Sequence, residues 1–188
     1  MTDHDRLTRM LAARSARRGN FTLASGRQSS LYIDARLTTM TPDGQQLIGR
    51  LGLEAMHAAG WEPDAVGGLT LGADPIAYAI CHSSAGSERP VRAFTVRKEP
   101  KAHGTGRQIE GPVASGDRVV IVEDTITTGA SAARAIEAVR REGVVVLGVL
   151  ALVDREEGGR EHLESLGLTV RSLATAGEIV PHIGPAGT

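Results

Sequence analysis

Residues 119–131 read VVIVEDTITTGAS, and this stretch constrains the chain more than any other. Val119, Val120, Ile121 and Val122 are the branched apolar run of a buried strand. Two acids, Glu123 and Asp124, close the run. Thr125, Ile126, Thr127, Thr128, Gly129, Ala130 and Ser131 then form a small-residue, hydroxyl-rich loop that leads into a helical pattern. A strand that delivers paired carboxylates to such a loop at a helix N-terminus suits a phosphorylated sugar. Loop N–H groups and the hydroxyls of Thr127, Thr128 and Ser131 can hold a phosphate where the helix dipole favours negative charge. The two carboxylates can accept hydrogen bonds from vicinal ribose hydroxyls. The plainer reading is a strand-to-helix turn capped by Thr and Ser. The order of strand, acid pair, loop and helix favours the sugar-phosphate site.

The remaining pattern alternates strands with helices. Leu7, Met10 and Leu11 mark the inner face of a short N-terminal helix. Residues 21–34 alternate around Ser25-Gly26, which predicts a hairpin. Thr41 caps a helix with Pro42 in its first position, Leu47, Ile48, Leu51 and Ala55 form its stripe, and Gly60 stops it. Residues 65–71 (AVGGLTL) are a strand running into a glycine-rich turn, and Asp74-Pro75 starts a helix reaching about Ser84. Strands follow at 91–96, 118–122, 144–153 and 169–173. Ala132, Ala133, Ile136 and Val139 have helical spacing closed by Gly143, and 161–166 is a short helix. This alternation predicts a mainly parallel sheet, with ligands beyond the carboxyl ends of the strands.

The 188 residues fit one domain, with no internal repeat or linker to divide it. Twenty-one Lys and Arg against 22 Asp and Glu give no global pull toward nucleic acid or membrane. Aromatics are scarce, which argues against a base-stacking platform. The single cysteine, Cys81, lies in the apolar stretch PIAYAIC and reads as a buried small hydrophobe, consistent with a reducing cytoplasm. The N-terminus is arginine-rich but has no continuous apolar segment, so no secretory signal is expected; Asp3 and Asp5 weigh against a transit peptide.

Residues 97–112 are polar, glycine-containing and without periodicity. Such a loop inside a compact domain is functional or disordered. It carries Arg97, Lys98, Lys101 and His103 in the pattern R-K-x-x-K-x-H-G. With this pattern the resemblance becomes specific. VVIVEDTITTGAS resembles the phosphoribosyl pyrophosphate (PRPP) signature of type I phosphoribosyltransferases, and RKEPKAHG resembles the catalytic loop of their orotate-specific members. FTLASGRQSSLYID is similar to the N-terminal hairpin of that group, GGLTLGADPIA to its pyrophosphate loop, and LALVDREEGG to the segment that closes its base site. Two departures stand out: many members have lysine where this chain has Ala24 and where it has Gly72.

The resemblance implies an α/β type I phosphoribosyltransferase fold, a mainly parallel central sheet flanked by helices. Residues 1–188 would be one such domain, with a helix and hairpin within about 1–40 forming part of a small hood and 97–112 a mobile lid. It implies transfer of ribose 5-phosphate from PRPP to orotate, giving orotidine 5′-monophosphate and pyrophosphate. Lys101, His103 and Asp124 are the implied catalytic residues. Arg97, Lys98, Lys101, His103, Glu123, Asp124 and residues 125–131 would bind PRPP, and Thr127 with Arg155 would bind orotate. The competing role for Arg155 is an ion pair with Asp154 or Glu156. Mg²⁺ is the implied cofactor, held through substrate and water rather than by direct protein ligands. The implied partner is a second copy of the chain, in a homodimer whose lid loop reaches the neighbouring site. Two other functions share the PRPP loop: transfer to a purine base, and PRPP sensing without turnover. Neither requires the basic lid pattern.

Overall fold

The computed structural model describes residues 1–22, 28–99 and 108–184. Thr2 starts the first helix, α1 (Asp3–Arg14), through a reciprocal cap: the Asp5 N–H donates to Thr2 Oγ1 at 3.1 Å and the Thr2 N–H to Asp5 Oδ2 at 2.9 Å. Leu7 and Leu11 are fully buried and Met10 packs at the margin, as the helical spacing predicts. Strands β1 (Ala16–Thr22) and β2 (Gln28–Ile33) pair antiparallel as a separate two-stranded sheet. The hairpin therefore starts at Ala16 rather than Phe21. Its polar first half, with Arg17 and Arg18, has no alternation to announce it. The predicted turn at Ser25-Gly26 lies outside the described residues.

A short helix α2 (Arg36–Thr39) leads to α3 (Pro42–Ala58), where Thr41 Oγ1 accepts from the Gly44 N–H and Pro42 occupies the first turn. There follow β3 (Ala65–Leu69), α4 (Ala73–Ser84), β4 (Arg92–Val96), β5 (Ile109–Glu110), β6 (Arg118–Ile126), α5 (Ala130–Arg141), β7 (Val145–Asp154), α6 (Gly159–Ser165), β8 (Val170–Thr175) and α7 (Ala176–Ile179). The six-stranded sheet has the order β5-β4-β3-β6-β7-β8. All its pairs are parallel except β4 with β5.

β6 is buried on both faces, which explains its unbroken apolar run. Val120 and Val122 join the core under α1, α3 and α4, while Val119, Ile121 and Ile126 join the core under α5 and α6. Each of these fully buried side chains contributes roughly 1.5–3 kcal/mol. Three differences from the sequence reading are physical in origin. Ile109–Glu110 forms a strand inside the segment expected to lack structure, because the Arg97 N–H donates to the Gln108 carbonyl and extends the edge of the sheet. β6 continues through Ile126, so the acid pair and the first loop residues belong to the strand. Cys81 is only half-buried, next to the buried Ile80 but turned away from it along α4.

The crossover from β3 runs outward to β4, whereas that from β6 runs the other way to β7. The direction in which strands are added to the sheet thus reverses between β3 and β6, although the two strands run parallel. A crevice opens at their carboxyl ends, as the doubly wound arrangement requires.

Candidate active site

The crevice holds a cleft of about 280 Å³. Glu123 and Asp124 line it from β6, Thr70, Leu71 and Gly72 from the turn after β3, and Tyr32, Asp34 and Arg36 from the hairpin and α2. Gly72 sits against the acid pair: a Cβ at that position would lie 2.5 Å from the Asp124 carboxyl. Only glycine permits this approach. Behind the turn, Asp74 is buried and accepts from Thr70 Oγ1 at 2.6 Å and Thr95 Oγ1 at 2.8 Å, so the turn is braced from α4 and β4. The sequence reading treated Asp74 only as a helix start; its bracing role depends on a residue 21 positions away.

A second, smaller cup of about 90 Å³ is formed by Glu123 with residues 125–131, at the N-terminus of α5. Gly129 has φ +77, and a Cβ there would approach the Gly159 carbonyl at 2.9 Å. The cup and the cleft share Glu123 and Ser131. One extended ligand can therefore place an anionic group in the cup, a polyhydroxyl ring over the acids and a further group along the turn after β3.

The electrostatics of the acids follow from their depth. Burial pushes the Glu123 carboxyl well above the usual carboxylate range, and the Asp124 charge beside it adds to the effect. Glu123 Oε2 has no hydrogen-bond partner among the described residues. Asp124 is also raised by burial, opposed by the Thr125 N–H donating to Oδ1 at 2.8 Å and by the field of Arg36. An acid pair with one buried, unfilled acceptor suits a ligand that supplies hydroxyl donors.

Arg155 follows β7 and is buried, but it does not line the acid cleft. Its Nη2 donates to Ser29 Oγ at 2.9 Å and the Leu31 carbonyl at 3.0 Å, and pairs with Glu157 at 2.7 Å. Its expected alternative partners, Asp154 and Glu156, are engaged elsewhere: Asp154 accepts from Arg160 Nε at 2.7 Å, and Glu156 from the Gly177 N–H at 2.7 Å. Arg155 Nε is buried without a partner among the described residues. Lys98 lines the cleft, and its carbonyl accepts from Arg134 at 3.0 Å. Arg97 instead pairs with Glu110 at 3.4 Å. Lys101 and His103 lie outside the described residues, as does Ala24.

Residues 40–170 match the family model for the phosphoribosyl transferase domain. The orotate phosphoribosyltransferase of Aquifex aeolicus is 46% identical over 183 residues, covering 96% of this chain and 99% of that one. This chain belongs to the orotate phosphoribosyltransferases. Solved structures of that family agree in fold. The Mycobacterium tuberculosis H37Rv orotate phosphoribosyltransferase in complex with Fe(III) dicitrate superposes with a TM-score of 0.83 at 44% identity, covering 95% of this chain and 99% of that one. The same Mycobacterium tuberculosis enzyme in complex with PRPP gives 0.80 at 41% identity, with the same coverage of both chains. The family model spans the acid pair, the cup and Arg155 but not the hairpin, so Tyr32 and Arg36 are site walls that it does not include.

Proposed function

We propose that this chain transfers the ribose 5-phosphate group of PRPP to orotate, giving orotidine 5′-monophosphate and pyrophosphate in pyrimidine biosynthesis. The observation that carries the reading is the acid pair of buried Glu123 and half-buried Asp124, joined on one side to the cup at α5 and on the other to the turn after β3. The 5′-phosphate takes the cup, where residues 125–131 supply N–H and hydroxyl donors at a helix N-terminus. The ribose hydroxyls donate to Glu123 and Asp124. The pyrophosphate then extends along Thr70, Leu71 and Gly72. Orotate N1 attacks the anomeric carbon as the bond to the pyrophosphate oxygen breaks, and the N1 proton leaves to solvent or base. The transition state carries positive charge on the ribose ring, so the enzyme's tasks are positioning and charge stabilisation.

Lys101 and His103, with Lys98, place positive charge against the leaving pyrophosphate. The sequence pattern supports this for Lys101 and His103, and the cleft lining supports it for Lys98. Arg97 takes part only after leaving Glu110. Arg155 meets the orotate carboxylate; its unpartnered buried Nε supports that role, since a planar guanidinium matches a carboxylate. Thr127, which lines the cup, is assigned to the same base on the family resemblance. The donor set fits Mg²⁺: two carboxylates, one with an unfilled oxygen, suit the water shell of a hard cation whose other ligands are substrate oxygens. When bound, the ion neutralises charge on the pyrophosphate. We assign the enzyme to the cytoplasm as a homodimer with the lid loop shared between subunits, on the basis of the family resemblance.

The test is base choice. Pyrophosphate release from PRPP with Mg²⁺ is measured with orotate, uracil, adenine and hypoxanthine as acceptors. Orotate alone should support turnover. Equal use of uracil would remove the role of the carboxylate, and use of a purine would overturn the assignment.

A further inference from the structure

Arg36 stands at the cleft in a position that no part of the mechanism above uses. It lines the cleft together with Leu71, Gly72 and Asp124, but it does not line the phosphate cup. It is the first residue of α2, and Asp34 fixes its guanidinium with two parallel bonds, Nε to Oδ1 at 2.8 Å and Nη2 to Oδ2 at 3.0 Å. Nη1 has no partner among the described residues. The side chain is about half exposed (48%), so this donor is open to a ligand. Its charge acts on Asp124, and that of Asp124 acts on it.

The turn Thr70–Gly72 brings no cation to the cleft. Gly72 cannot be exchanged for a longer residue without moving the Asp124 carboxyl, because a Cβ there already sits 2.5 Å from it. Among the described residues lining the cleft, only Arg36 and Lys98 carry positive charge. A pyrophosphate group laid along Thr70–Gly72 carries several negative charges past two carboxylates, and Arg36 adds to Lys98 a second positive charge in the lining of the same cleft.

We propose that Arg36 binds the pyrophosphate half of PRPP, with Asp34 as the positioning residue that holds its guanidinium toward the cleft. This rests on the ribose and 5′-phosphate placement proposed above. Arg36 meets the pyrophosphate oxygens through Nη1, while the Asp34 pair keeps the fork from swinging into solvent. A charge-assisted bond of this kind makes PRPP affinity, rather than orotate affinity, depend on residue 36.

Binding tests this without relying on turnover. Titration calorimetry at fixed MgCl₂ compares PRPP with ribose 5-phosphate, which lacks the pyrophosphate. Arg36→Ala should weaken PRPP binding about tenfold to a hundredfold, the range for losing a charged hydrogen bond, and ribose 5-phosphate less than about twofold. Arg36→Lys should regain most of the PRPP affinity as a point charge. Asp34→Asn should weaken PRPP in the same direction but by less, with ribose 5-phosphate again unaffected. Thermal melts of each variant identify any loss of fold; Arg36→Lys keeps the charge and serves as the readout if Arg36→Ala does not fold. Equal loss for both ligands, or unchanged PRPP binding in Arg36→Ala, overturns the proposal. If the parent binds PRPP but does not consume orotate, the base assignment fails while the role of Arg36 is still decided by these titrations.

Discussion

Glu123 and Asp124 are neighbouring acids at the end of β6 that line one cleft, and loss of solvent raises the pKa of both. A carboxyl whose folded pKa is raised stabilises the fold while protonated, at pH below its unfolded pKa, and loses that contribution as pH rises through the folded value. Glu123→Gln cannot ionise. Its melting temperature should therefore gain on that of the parent as pH rises above the ordinary glutamate value of 4.5; parallel curves from pH 4 to 8 would contradict the assignment. Asp124→Asn should lose activity by roughly a hundredfold or more through the ribose contacts while melting no lower than the parent. Arg155→Leu should raise the orotate KM strongly and leave the PRPP KM nearly unchanged. It should also lower stability by roughly 3 kcal/mol, because it breaks the ion pair with Glu157 and the bonds to Ser29 and Leu31 that tie the segment after β7 to β2. The acids and the hydroxyl loop were legible as residues because their chemistry is contiguous in sequence. Ser29, Leu31 and Glu157 around Arg155 were not, since two of them lie more than 120 positions away.

At the scale of elements, the sequence showed those with a long apolar period or a cap. Thr41 with Pro42 located the start of α3, and Thr41→Ala should cost about 1 kcal/mol in denaturant unfolding, the usual loss for a missing N-cap. The run 119–122 located the centre of β6 but not its end, because Glu123, Asp124 and Thr125 stay in the ladder with β7 while breaking the apolar pattern. Ile109–Glu110 is too short to show a period and owes its strand to pairing with Thr95 and Val96. The turn after β3 was legible as glycine-rich but not as a wall packed on Asp124. Gly72→Ala should therefore reduce kcat/KM for PRPP, because its Cβ must displace the Asp124 carboxyl, with little change in melting temperature. An active Gly72→Ala enzyme would show that this close approach is unnecessary.

For the whole molecule, the alternating pattern was enough to predict a mainly parallel sheet with the site at its carboxyl edge. The reversal between β3 and β6, which creates the crevice, becomes visible only in the strand order. Sharing of the lid between subunits can be tested by complementation. Lys101→Ala and Asp124→Asn, each nearly inactive alone, are mixed under conditions that exchange subunits. A lid acting in trans gives each heterodimer one site with both defects and one with neither, so activity should return toward half of the parent value per heterodimer. A lid acting within its own chain leaves every site defective and no activity returns. The central claim, orotate phosphoribosyl transfer at the Glu123–Asp124 crevice, is tested most directly by mixing the protein with orotate, PRPP and Mg²⁺ and following orotate absorbance and pyrophosphate together. Orotate should be lost and pyrophosphate should appear one for one, and Asp124→Asn should slow both by roughly a hundredfold or more. Unchanged orotate absorbance with the parent, or an Asp124→Asn rate equal to the parent's, would contradict it.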